Sequence, residues 1–293
     1  MKRRIYQLDV FTSKPFTGNR LAVVTDGDGL SRTLMQAIAK EMNHPETVFV
    51  QRPTNNRALA RLRIFTTTQE LPLAGHPVIG TWFLLAELGV VPAREGAVHI
   101  LQQTGAGILP VEISFENSRP VNVTMTQKPA VFRPAKFSAT ALEAALGIRR
   151  GDLHAQLPME FVSTGIFNLM LPLRDASILK RLRMAISPLA RLLDKQGVLA
   201  YCFALAGKAK VRSRGMVPWE LIEDPATGSA GGSLGAYLVR HKKLRVGEEL
   251  SITQGVEMGR PSHIRVQVSE QKGRLTPRVS GSAVRIWEGH IDA

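Results

Sequence analysis

Pro77-Val78-Ile79-Gly80-Thr81-Trp82-Phe83-Leu84-Leu85-Ala86-Glu87-Leu88-Gly89 is the stretch on which the fold turns. Proline in the first turn and glycine just past the end mark it as a helix. Val78, Ile79, Trp82, Phe83, Leu84, Leu85, Ala86 and Leu88 leave it almost no polar face. A helix without a polar face must be enclosed on all sides. The segment from Ser229 to about Lys242 has the same character, with Ala230, Gly231, Gly232, Leu234, Gly235, Ala236, Tyr237, Leu238 and Val239. Most of the remaining chain reads as strand: Arg4–Phe11 alternates, and Leu21–Thr25, Thr47–Gln51 and Arg57–Thr66 carry strand signals. Ser31 is placed to cap a helix running to about Met42, with Leu34, Met35, Ile38 and Met42 on one face. Two enclosed helices, each among strands, predict an α+β protein in which two sheets each curl around one helix.

The two halves also read as copies. Ala74-Gly75-His76-Pro77 opens the first enclosed helix and Thr227-Gly228-Ser229-Ala230 the second, a displacement of 227 − 74 = 153. The same shift carries Thr47–Val50 onto Ala200–Phe203, and a helix at Met35–Met42 matches one expected at Ser187–Asp194. Three elements in order argue for internal duplication, and two similar domains commonly form their ligand site in the cleft between them.

Composition narrows the function. With 293 residues, 44% hydrophobic and 21% charged, the chain has the makeup of a globular protein large enough to bury its own core. Its one cysteine, Cys202, cannot form an internal disulfide or a cysteine-based metal cluster. Cys202 sits in an apolar strand and reads as buried packing. No apolar h-region follows the basic N-terminus, and the most apolar stretch, Thr81–Val91, is too short to span a bilayer. These features favour a cytoplasmic protein with no membrane partner. The net charge, 38 − 24 = +14, invites a nucleic-acid or acidic-partner reading. The basic residues are scattered, however, without zinc-finger, RNP or basic-zipper spacing, so nucleic acid is the minor reading.

Each enclosed helix begins with a glycine, Gly75 followed by His76 in one case and Gly228 followed by Ser229 in the other. Free amides and the dipole at such a start favour an anion, and small side chains let a carboxylate come close. Close packing inside a sheet sleeve explains the same glycines. Neither a G-x-G-x-x-G fingerprint nor a G-K-[ST] phosphate loop is present.

Gly18-Asn19, His44-Pro45-Glu46-Thr47-Val48-Phe49, Phe65-Thr66 with Glu70-Leu71-Pro72-Leu73-Ala74-Gly75-His76-Pro77, Glu223-Asp224-Pro225-Ala226-Thr227-Gly228-Ser229-Ala230, and Gln254-Gly255 with Met258-Gly259-Arg260-Pro261-Ser262 occur in that order. Together they resemble the phenazine-biosynthesis PhzF-like isomerase family, over almost the whole chain. The resemblance implies a diaminopimelate-epimerase-like fold: two pseudo-symmetric domains, each a curled, mostly antiparallel sheet around a central helix. The expected division is 1–119, rejoined by a returning C-terminal strand at about 283–293, and 120–282, with the active site in the cleft. The resemblance also implies acid–base isomerisation without cofactor or metal, commonly in a homodimer. Characterised phenazine-pathway members isomerise trans-2,3-dihydro-3-hydroxyanthranilate by moving a proton.

Alone, Glu46 is an acidic residue between a helix and a strand, where solvated turn residues are common. Its position matches the family's catalytic glutamate, acting as base and then acid. Abstracting a carbon-bound proton requires such a base in a partly buried setting. His76 alone reads as a capping or core histidine; by resemblance it contacts the substrate's polar groups. Asp224 matches the family's aspartate near the substrate amine, or serves as a cap for the helix behind it. Ser229, Gly75, Gly228, Thr227 and Asn19 complete the expected substrate-binding set for a small carboxylate, and Gln127 is a weaker candidate. Related amino-acid epimerases use two thiols; the matching residues here are Ala74 and Thr227, neither of which can act so. The expected function is a single-glutamate isomerase. Its rivals are a racemase or lyase-like reaction on another small amino or hydroxy acid, and a basic binding or regulatory protein. Arg20, where many relatives have proline, leaves the substrate open.

Overall fold

The computed structural model describes residues 2–182, 191, 193, 198–217 and 222–293. The helix expected at Ser187–Asp194 lies largely outside them. In chain order the elements begin with β1 Lys2–Val10, β2 Asn19–Val24, α1 Arg32–Met42, β3 Glu46–Gln51, β4 Ala60–Phe65 and β5 Glu70–Leu71. There follow α2 Gly75–Glu87, β6 Gly96–Thr104, β7 Gly107–Glu116, β8 Arg119–Thr126, β9 Val131–Pro134 and α3 Ala139–Leu146. Next come β10 Glu160–Ser163, β11 Phe167–Pro172, α4 Ser177–Arg181, β12 Leu199–Leu205, β13 Lys210–Val217 and β14 Ile222–Asp224. The chain closes with α5 Gly228–Arg240, β15 Leu250–Gln254, β16 Ser262–Gln271, β17 Arg274–Gly281 and β18 Ala283–Asp292.

Two compact units result: residues 1–126 with 280–293, and residues 127–279. The first unit extends past 119 because β8 pairs along β7 from Glu116↔Arg119 to Val111↔Met125 and so continues that sheet. In this unit β1 pairs antiparallel with both β2 and β18, from Lys2↔Asp292 to Val10↔Ala283 along the latter. The sheet runs on through β2–β3 parallel, β3–β4 antiparallel, β4–β5 antiparallel, β4–β6 parallel and β6–β7 antiparallel. The second unit repeats that order of pairings: β10–β11 antiparallel, β11–β12 parallel, β12–β13 and β13–β14 antiparallel, β13–β15 parallel, β15–β16 antiparallel. Helices α2 and α5 both start and end 153 residues apart, and β3 and β12 start at the same displacement. The internal repeat is therefore a repeat of topology.

Each unit encloses one helix. In α2 every residue from His76 to Ala86 is buried, and the helix packs against β1, β2, β3, β7, β8 and β18. Gly80 permits this approach: a β-carbon there would lie 2.6 Å from Val10 Cγ2 and 2.7 Å from Leu21 Cδ2. The enclosed Trp82 satisfies its indole by donating to Gln102 Oε1 at 2.8 Å. In α5, Gly228 and Ala230–Leu238 are buried, against β10, β11 and β16. Helix α1 is amphipathic; Ser31 Oγ accepts from the Leu34 amide, and Asn43 ends it in the left-handed region. Two boundaries differ from the sequence reading. Helix α2 begins at Gly75, which puts Pro77 third in a first turn whose N–H groups need no helical partner anyway. Strand β4 begins at Ala60 instead of Arg57, because Ala58 closes a turn on the Asn55 carbonyl.

Candidate active site

Parallel pairing of β2 and β3 sets Leu21 opposite Glu46, so Glu46, the first residue of β3, lies two positions from Asn19 along the neighbouring strand. His76 is the second residue of α2, and its Nε2 stands 3.2 Å from Glu46 Oε2. The approach is a close contact, not an aligned hydrogen bond. On the other side of the ring, Asn19 Nδ2 lies 3.3 Å from His76 Nδ1. In the tautomer that carries its proton on Nε2, Nδ1 accepts from the Asn19 amide.

The His76 side chain is 7% exposed and that of Glu46 16%. Burial pushes the imidazole down to about 3, and a hydrogen bond with the Arg20 backbone only partly offsets it. His76 is thus neutral at neutral pH, and its contact with Glu46 is not an ion pair. Gly75 opens α2, and the residue before it, Ala74, offers no side-chain cap to the amides of the first turn. Gly18, ahead of Asn19, has φ +68°, and a β-carbon there would meet Thr12 Cγ2 at 2.6 Å. Glu70 serves the structure: Arg63 grips it in a fork of 2.7 and 2.8 Å, and that grip holds its carboxyl below the usual range.

In the second unit Asp224 ends β14 and is tied to the start of α5. Thr227 Oγ1 donates to Asp224 Oδ2 at 2.7 Å, and the Ala226 amide to Oδ1 at 3.4 Å. Thr227 is the residue before the helix, but its hydroxyl faces this carboxylate and caps no helical amide. Ser229 is the second helical residue, behind Gly228. Gly228, the first, has its carbonyl bonded by Gln127 Nε2 at 2.9 Å.

Beneath this loop lies a buried polar network that sequence reasoning missed. Gln254 Nε2 donates to the Asp224 carbonyl at 2.7 Å and to Thr227 Oγ1 at 2.9 Å. Gln254 Oε1 accepts from the Thr227 amide at 3.2 Å and from Tyr201 Oη at 2.9 Å. Ser213 Oγ donates to the same tyrosine oxygen at 2.9 Å. Burial raises the Tyr201 phenol well above its ordinary value, so it stays protonated and donates to Gln254. Only the Gln254-Gly255 pair in the sequence hinted at this support. Cys202 is fully buried with its thiol pushed up to about 12 by burial, as packing requires and reactivity does not.

The structure therefore brings Asn19, Glu46, Gly75 and His76 together in one unit, and Asp224, Thr227, Gly228 and Ser229 in the other. Residues 8–289 match the family model described as phenazine biosynthesis-like protein, PhzC-PhzF. The chain belongs to this family. It is 35% identical over 290 residues to trans-2,3-dihydro-3-hydroxyanthranilate isomerase of Pseudomonas aeruginosa, with 98% of each chain covered. Among solved structures, the PhzF-family phenazine biosynthesis protein of Bacillus anthracis matches at TM-score 0.89 and 27% identity over 100% of both chains. The fold alone extends further. A probable proline racemase of Agrobacterium radiobacter aligns at TM-score 0.71 and 14% identity over 99% of this chain and 93% of its own. The family is one of isomerases, and this chain is an isomerase of the PhzF-like kind with an α+β fold.

Proposed function

We propose that the chain moves a proton within a small carboxylate-bearing substrate, of the dihydro-hydroxyanthranilate type, with Glu46 as the single acid and base. The observation that carries this reading is the pairing of the mostly buried Glu46 with a buried, neutral His76 at 3.2 Å. A neutral imidazole cannot hold Glu46 in an ion pair, which leaves the carboxylate available to a substrate. The carboxylate takes a proton from one substrate carbon, the electron pair shifts along the double bonds, and the same proton returns at another carbon. His76, itself fixed by Asn19, orients the carboxyl group between the two transfers.

Gly75, Gly228 and Ser229 are proposed to meet the substrate carboxylate, and Asp224, held by Thr227, its amine. Support comes from the motifs quoted above, which resemble the family's, and from the trans-2,3-dihydro-3-hydroxyanthranilate isomerase relative at 35% identity. Ala74 and Thr227 at the positions of the epimerases' thiols weigh against two-base racemisation. The same resemblance carries a homodimer, which light scattering would test; the cytoplasmic location expected from the sequence would be tested by cell fractionation.

The decisive experiment is proton NMR in heavy water with trans-2,3-dihydro-3-hydroxyanthranilate. The wild type is expected to consume the substrate's carbon-bound proton signal, and Glu46→Gln to leave it intact with the fold preserved. Turnover retained in Glu46→Gln would refute the assignment of the base. An inert wild type would refute this substrate.

A further inference from the structure

A concave surface lies at the far end of α5, about 20 Å along the helix from Gly228. It is a cavity of about 550 Å³ between the helix end, the turn joining β12 to β13, and the segment entering β15. That volume suits a small-molecule ligand. Buried Val211, Leu238, Leu244 and Leu250 contribute apolar lining, with the half-exposed Val246 beside them.

The rim is cationic. Lys208 comes from the turn and Lys210 from the start of β13, Lys242, Lys243 and Arg245 from the segment after the helix, and the cavity is lined by all five. None of the five makes an ion pair among the described residues, although two carboxylates line the same cavity. Glu248 is occupied, accepting the Arg245 amide at 3.1 Å, and Glu270 is the other. The negative end of the helix dipole accounts for cations near its last turn. It does not account for Lys208 and Lys210, which belong to another segment. Nor are the lysines needed as caps, since Lys242 and Lys243 satisfy the carbonyls of Val239 and Leu238 with their backbone amides. Two wall residues that are not glycine, Ala209 (φ +48°) and Lys242 (φ +57°), hold left-handed backbone.

We propose that this cavity is a ligand site for a phosphorylated small molecule with an apolar or aromatic body, of the nucleoside phosphate class. The phosphates engage cations from both segments, and the body covers Val246 and the aliphatic wall. An anion here relieves the mutual repulsion of the five cations. The compact concavity favours a small molecule over an extended polymer.

Isothermal titration calorimetry with ADP, adenosine, inorganic phosphate and a single-stranded RNA decamer tests the site. ADP is expected to bind the full chain with a Kd below about 1 mM at low salt, a range that several charge-assisted contacts support. The Lys208→Glu/Lys243→Glu variant is expected to weaken it at least tenfold, as is Lys243→Ala alone by a smaller factor. Lys40→Glu, in α1, is expected to change nothing, and circular dichroism verifies each fold. No heat with ADP, or heat unaltered by the two lysine variants, overturns the proposal. Phosphate or adenosine binding as tightly as ADP overturns the joint role given to the cations and the apolar wall. RNA binding tenfold tighter than ADP and lost in the same variants replaces the small molecule with nucleic acid.

Discussion

Acidification should cost this protein stability through His76, and the amount follows from its burial. In the unfolded chain the imidazole titrates at its ordinary 6.5; in the folded chain burial holds it down to about 3. A depressed base contributes stability that is intact above 6.5 and is lost as the pH falls toward 3. Between those values the unfolded chain binds a proton that the native one refuses. At about 1.4 kcal/mol per pH unit the loss reaches about 5 kcal/mol at the acid end, and about 3 kcal/mol between pH 7.5 and 4.5. That is a large share of a typical domain's stability. Urea unfolding of wild type and His76→Gln at pH 7.5, 6.0 and 4.5 measures it. Wild type is expected to lose about 3 kcal/mol more than the variant across that range, since glutamine cannot titrate. The imidazole carbon-bound protons should report a neutral ring down to about pH 5 in NMR. Parallel stability curves for the two proteins would refute the reasoning, because they would mean that His76 gains a proton in the folded state as readily as in the unfolded one.

Further expectations concern the second unit and the cores. In Gly215→Ala the new methyl group would lie 2.6 Å from Thr227 Oγ1 and 2.8 Å from Gln254 Nε2. The Asp224 loop must shift, costing about 1–3 kcal/mol and most of the turnover; wild-type stability and kcat would count against the network. Tyr201→Phe removes one donor to Gln254 Oε1 and should cost about 1–2 kcal/mol in urea unfolding, with a fall in kcat/KM. An unchanged kcat/KM would show that Asp224 holds its place without it. Leu84→Ala, inside the fully enclosed α2, should destabilise by about 2–5 kcal/mol, whereas Leu34→Ala on the exposed face of α1 should cost well under half of that. Equal losses would contradict the enclosure of α2.

The enclosed helices were legible because periodicity is local: a helix-length run with no polar face admits no solvated solution. The duplication was legible for the same reason, as its marks are short motifs at one displacement. Ser31 announced its cap, and Cys202 its burial, from their immediate neighbours. Boundaries were less legible. Pro77 signals a first turn without saying which residue of that turn it occupies, and the Asn55–Ala58 turn trims a strand whose residues all suit one.

At the candidate site, the sequence named the residues and left their partners open. Glu46, His76 and Asn19 could be singled out from motifs, yet their meeting depends on β2 and β3 being parallel neighbours with α2 threaded beside them. Tyr201, Ser213 and Gln254 carried almost no signal. They meet Thr227 and Asp224 only because β12, β13 and β15 lie side by side, bringing together residues 53 and 27 positions apart. By itself, then, the sequence determined which segments are buried, that they come in two similar sets, and which side chains bear chemistry. Only the tertiary structure decided the imidazole's neutrality and the support of the Asp224 loop. Both depend on desolvation and hydrogen bonds between distant segments, which exist only once the sheets have closed around their helices.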